Sequence, residues 1–129
     1  MVHKLKFRLL AERLAVSQLP SGSPVPSWAA GPGFFCLTQT LEELSIVCDE
    51  ARVPPDVRIE RDWVALQLEG PFPFAMTGVL TSFLVPLADA AIPVFAVATF
   101  DTDYVLLKRS DLPAALRALS AAGHEQAGL

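Results

Sequence analysis

Reactive side chains are scarce in this sequence. Its 129 residues hold two cysteines and two histidines, and the histidines, His3 and His124, stand at opposite ends. A structural zinc site takes about four such ligands, so no metal is expected, and no other cofactor. Cys36 and Cys48 fall in apolar, strand-like stretches, where reduced core thiols are the simplest expectation. Basic residues are also few: 10 Lys and Arg against 14 Asp and Glu, a formal net charge of −4. That balance offers no electrostatic footprint for nucleic acid. No glycine-rich phosphate loop is present, because GPG at Gly31–Gly33 lacks the Lys-Ser/Thr ending that makes such loops specific. The carboxylates Asp101 and Asp103 have no nucleophile or metal set beside them in sequence, and no Ser-His-Asp grouping is suggested. An enzyme is therefore not expected.

An uninterrupted apolar run long enough to cross a membrane is missing as well. The span from Val79 to Phe100 has the length. However, Asp89 lies near its middle, which costs about 2.5–3.5 kcal/mol on an insertion scale, and Pro86 and Pro93 break it. The start, MVHKLKFRLL, is basic but lacks the apolar core and cleavage site of a signal peptide. No membrane association and a cytoplasmic location are expected.

What is present is a patterned, apolar chain, 52% hydrophobic. Lys4–Leu10 alternates charged and apolar residues with period two, a half-buried strand. Leu14–Leu19 reads as a second strand. PSGSPVPSWAAGPG, at Pro20–Gly33, excludes a long helix and leaves at most a turn at Ser27–Ala30, with Trp28 anchored in a core. Phe34–Thr38 and Glu43–Cys48 read as a strand pair, and Trp63–Leu68 as a strand. From Val79 the apolar residues Val79, Leu80, Phe83, Leu84 and Leu87 follow helical spacing. Thr77 is a candidate N-cap, and Pro86 should kink or shorten the helix. Val94–Phe100 and Tyr104–Leu107 are strands around the turn formers Asp101-Thr102-Asp103. A last helix begins after Asp111, capped by Ser110 and ended by Gly123. His124–Leu129 is expected to fray.

The chain also repeats itself. GFFCLTQTLEELSIVC superposes on PVFAVATFDTDYVLLK with Phe35 on Phe95, which sets Glu43 on Asp103. LAVSQLPSG superposes on WVALQLEG with Gln18 on Gln67. Two copies of one unit are expected, residues 1–62 and 63–129, the first degenerate because its helix is reduced to the Pro-rich segment. Each alone would have a marginal core.

The order strand-helix-strand-strand-helix, with Gly78-Val79 before the helix, Pro86-Leu87-Ala88 within it and TFDTDY at Thr99–Tyr104, resembles the ACT domain. More narrowly, it resembles the ACT proteins related to the CASTOR arginine sensors. The resemblance implies an α+β fold of two ferredoxin-like βαββαβ-type units, antiparallel sheets with helices on one face. It also implies a regulatory module that binds a small molecule, an amino acid such as arginine, at an interface between ACT units. The sensors carry four units and this chain two, so a homodimer is implied. A regulated protein partner of unknown identity is implied as well.

Three places follow as candidate binding residues. Free amides at a helix N-terminus suit a carboxylate, and Gly78 with Val79 stands there. On the residues alone, a tight entry turn is the better explanation of Gly78, and the resemblance reverses that in favour of binding. Asp101 reads as a turn former. Asp103, by resemblance, would hold an ammonium or guanidinium through charge-assisted hydrogen bonds, with Thr99 and Phe100 beside it. Pro93 and Val94 open the following strand, where the resemblance implies a face toward the ligand and strand packing is the plain alternative. A purely structural interaction module remains the competing reading; it would have Phe72, Phe74 or Phe100 filling the pocket.

Overall fold

The computed structural model describes residues 3–128. In chain order the elements are β1 (Lys6–Leu9), β2 (Leu14–Pro20), β3 (Cys36–Gln39), β4 (Glu43–Asp49), β5 (Arg58–Leu68), α1 (Val79–Asp89), β6 (Phe95–Ala98), β7 (Asp103–Lys108), α2 (Leu112–Ala121) and β8 (Glu125–Gln126). They form two compact units. One is Ala11–Trp63; the other joins the residues through Leu10 to those from Val64 onward. β5 contributes to both.

In the unit Ala11–Trp63 the strands run β3-β4-β2-β5, antiparallel throughout. Alternation along β4 puts Leu44, Ile46 and Cys48 on one face, where they bury with Ala15, Ala29 and Val53. Trp28 packs against this core from the Pro-rich segment, which forms only a turn. Two side chains pin that segment: Arg52 donates to the Ala30 carbonyl (2.9 Å), and the Glu12 carboxylate accepts from the Phe34 amide (3.0 Å). No α-helix lies in this unit among the described residues.

The other unit carries the expected β-α-β-β-α-β order in β5, α1, β6, β7, α2 and β8. Its strand order is β8-β1-β5-β7-β6. β1 therefore belongs here and not in an N-terminal unit of residues 1–62, as expected from the repeat. The reason is packing. β1 is antiparallel to β5 (Phe7 opposite Leu68) and parallel to β8, and Phe7, with Leu5 just ahead of the strand, buries against Leu66, Leu68 and Phe83. Val79, Phe83 and Leu87 line the buried stripe of α1, and Ala115 and Leu119 that of α2.

His124–Gln126 does not fray as expected, and Leu129 lies outside the described residues. His124 is 5% exposed, and Glu125–Gln126 pairs with β1. The reason lies in α1. Pro86 has no N–H to give to the Ser82 carbonyl one turn earlier, and an unpaired carbonyl there costs about 1–3 kcal/mol. The His124 ring supplies the missing donor, with Nε2 2.8 Å from the Ser82 oxygen. Leu5 N–H reaches Nδ1 at 3.0 Å; that nitrogen must accept, so Nε2 carries the proton. Helix α1 continues through Pro86 to Asp89.

Helix ends differ from the expected caps. The N-cap of α1 is Gly78, left-handed at φ 79°, and not Thr77, whose carbonyl instead accepts from His3 Nε2 (2.9 Å). A short 3-10 turn, Arg109–Asp111, precedes α2, and Asp111 takes the cap position in place of Ser110. Both helices finish in the same way. After α2, Gly123 N–H bonds Ser120 O and His124 N–H bonds Leu119 O; after α1, Ala91 N–H bonds Ala88 O and Ile92 N–H bonds Leu87 O. This paired closure needs a left-handed residue, usually glycine. Gly123 has φ 91°, but the other helix uses Ala91 at φ 58°. Ala91→Gly should therefore raise stability by about 0.5–1 kcal/mol. A urea midpoint at or below that of the parent would refute this.

Candidate functional site

Between the first turn of α1 and the β6–β7 hairpin lies a cavity of about 270 Å³, small beside pockets for drug-sized ligands. It collects most of the expected residues: Gly78, Val79, Thr99, Phe100 and Asp103 all line it. Pro93 and Val94 do not. They sit exposed ahead of β6, which pairs only with β7 among the described strands, and are not among the residues that line the cavity. Phe72, Phe74, Met76, Leu80 and Thr81 also line it. Leu80 and Thr81 belong to the first turn of α1, whereas no spacing rule points to the loop residues Phe72, Phe74 and Met76, because a loop carries no periodicity.

One wall is the start of α1. Its first helical bond runs from Ser82 N–H to Gly78 O (2.9 Å), so the amides of Val79, Leu80 and Thr81 have no partner within the helix. The left-handed Gly78 turns the chain into this position. The opposite wall is the hairpin, held by Thr99 and Thr102. Thr99 N–H and Oγ1–H both donate to Thr102 O (2.8 and 3.0 Å), and Thr102 Oγ1–H donates to Leu68 O (2.8 Å). Asp101 serves the turn as expected: its carbonyl accepts from Phe72 N–H (2.8 Å) and ties the preceding loop to the hairpin.

Asp103 stands differently. It is half-buried at the start of β7, and burial raises its carboxyl above the usual aspartate range. Among the described residues its carboxylate makes no ion pair or hydrogen bond, and the cavity's only charged lining groups are Asp101 and Asp103. The aromatic residues leave the space open. Phe74 and Phe100 are 77% and 79% exposed and meet edge-to-face at the rim, 5.0 Å between centroids.

The other unit has no carboxylate at the position that matches Asp103. In the β3–β4 hairpin Cys36 pairs with Val47 and Gln39 with Leu44; in β6–β7 Phe95 pairs with Leu106 and Ala98 with Asp103. The counterparts are therefore Thr40 with Thr99 and Leu44 with Asp103, one residue out of step with the alignment that set Phe35 on Phe95. Thr40 repeats the bonds of Thr99, donating to Glu43 O through N–H (2.9 Å) and Oγ1–H (3.4 Å). The buried Leu44, not Glu43, occupies the place of Asp103.

A larger trough of about 710 Å³ runs between α1 and α2, past Val85, Pro86, Ala118 and His124. It shares Gly78 and Thr81 with the small cavity but is largely apolar. Cys36 and Cys48 are free, and burial pushes both thiols up, which disfavours the nucleophilic thiolate. Among the described residues no three metal-binding side chains come together, and no helix is long and apolar enough to cross a membrane.

Residues 58–121, which hold α1, both hairpin strands and α2, match the family model for the ACT domain. The chain is an ACT-domain protein related to the CASTOR proteins. Residues 12–56 match a second model, described as an N-terminal domain. The human protein CASTOR3P is 35% identical over 100 residues, and the bovine cytosolic arginine sensor for mTORC1 subunit 1 is 29% identical over 98. Each match covers 67% of this chain, but only 61% of CASTOR3P and 30% of the bovine sensor. Among solved structures, Agrobacterium tumefaciens protein Atu0741 superposes with a TM-score of 0.93 at 36% identity, covering 98% of this chain and 94% of that one. The regulatory subunit of aspartate kinase from Thermus thermophilus shares the ACT fold at 11% identity, TM-score 0.62, covering 95% of this chain and 99% of its own.

Proposed function

We propose that this ACT protein is a non-catalytic regulatory module of the cytoplasm that binds an amino acid in the cavity between α1 and the β6–β7 hairpin. One observation carries the reading: unpaired helix amides and an unpaired carboxylate face a single small space. A zwitterion has the complementary charges, its carboxylate for the amides near Gly78 and Val79 and its cationic end for Asp103. Relatives described as arginine sensors make arginine the first ligand to test. A homodimer is part of the proposal. β6 leaves an edge unpaired among the described strands, with Pro93, Val94 and Phe100 exposed along or beside it, and apolar edges of this kind pair with another chain. Binding would act by favouring one state of that interface.

Calorimetric titration with each common amino acid, arginine first, tests the ligand. Saturable binding is expected. A folded protein that binds none of them overturns the reading and leaves the exposed Phe74–Phe100 pair as the mark of a protein-interaction module. Light scattering is expected to give twice the mass of one chain, and a monomer at micromolar concentration removes the dimer.

A further inference from the structure

We infer that His124 is a positioning residue that holds the first turn of α1 against the cavity, an inference that rests on the cavity being the ligand site. The back of that turn is fastened by a run of hydrogen bonds from outside the helix and within it. Ser82 Oγ–H donates to Gly78 O (2.7 Å), and His3 N–H donates to Ser82 Oγ (2.9 Å). His3 Nε2–H reaches Thr77 O (2.9 Å), and His124 Nε2–H reaches Ser82 O (2.8 Å). Leu5 N–H fixes the far side of the His124 ring through Nδ1 (3.0 Å), and Phe83 packs on it with centroids 5.4 Å apart.

Gly78 lies on both sides of the matter. Its carbonyl belongs to this network, and its backbone lines the cavity. A left-handed glycine at a helix start is a soft joint. Pro86 softens it further, since the Ser82 carbonyl has no helical donor and could tilt outward. His124 removes that freedom and so sets the direction of the amides of Val79, Leu80 and Thr81. A ligand bound to those amides is coupled to the ring, and the coupling runs both ways.

Two measurements test this, one with ligand and one without. With arginine as probe, His124→Leu should bind about five- to tenfold more weakly than the parent. His124→Gln, whose carboxamide offers one acceptor and one donor, should recover most of that loss. Equal arginine affinity in the parent and a folded His124→Leu overturns the inference. In the ligand-free protein, hydrogen exchange at Ser82 N–H should quicken at least about tenfold in His124→Leu relative to the Leu119 amide in α2. Unchanged exchange overturns the inference whatever binds. If the parent binds no amino acid yet the exchange quickens, the ligand proposal fails and the positioning role stands. Should His124→Leu not fold, His124→Phe, which keeps a ring but has neither the donor for Ser82 O nor the acceptor for Leu5 N–H, makes the same two comparisons.

Discussion

Asp103→Ala should abolish most of the affinity for a cationic amino acid while leaving the fold intact. A hydrogen bond to a charged group contributes about 1.5–3 kcal/mol, so binding should weaken about 10- to 100-fold. The loss should not come from unfolding. Burial raises the Asp103 carboxyl above the usual aspartate range, which means the folded chain holds that proton more tightly than the unfolded one. Its contribution to stability is therefore full below the usual aspartate range and is lost as the pH rises through the raised value. At neutral pH the ionised group is a net burden, and Asp103→Asn should melt no lower than the parent, with its advantage shrinking on acidification. Ligand affinity should fall over the same window, because a cation pairs only with the ionised form. A variant that binds as the parent does, or one that melts lower at neutral pH, would remove Asp103 from the site.

Phe83→Ala should cost about 3–5 kcal/mol, a large part of the roughly 5–15 kcal/mol that holds a domain folded. Its side chain is fully buried where α1 faces β1, 5.4 Å from the Phe7 ring in an edge-to-face pair. Denaturant unfolding measures the loss, and Phe100→Ala is the internal comparison: at 79% exposure it should change stability by no more than about 0.5 kcal/mol. Comparable losses for the two phenylalanines would show that α1 is not seated as described.

Those two residues also mark how much could be read from the chain alone. The spacing of Val79, Phe83 and Leu87 identifies both the helix and its buried face, since periodicity is a local property. The hairpin strands and the turn role of Asp101 were legible for the same reason. The repeat was legible only to within one residue: Phe35 on Phe95 looks natural by residue type, but hydrogen bonds align Thr40 with Thr99. What stayed hidden depends on distant partners. Pro86 reads as a break, and the donor that repairs it comes from His124, on a segment that seemed destined to fray. Thr77 has the side chain of an N-cap, but its carbonyl is taken by His3, and Gly78 turns the chain without help. Pro93 and Val94 were placed at the site by resemblance; their exposure ahead of β6 puts them outside the cavity of one chain.

The position of β1 between β5 and β8 has a consequence for how the molecule is made. Ala11–Trp63 is a continuous segment and has all its strands once β5 leaves the ribosome. The unit bearing the cavity is not continuous. β1 precedes its partner β5 by the whole of the other unit, and β8 comes later still, so Leu5 and Phe7 wait uncovered until β5 and α1 have been translated. Contacts of such long sequence separation form slowly, and exposed apolar strands in the interval invite aggregation. Lys4, Lys6 and Arg8 alternate with those apolar residues, and charges so placed keep a waiting strand from pairing with its neighbours. The charged residues of β1 thus bear on the nascent protein and not only on the finished fold.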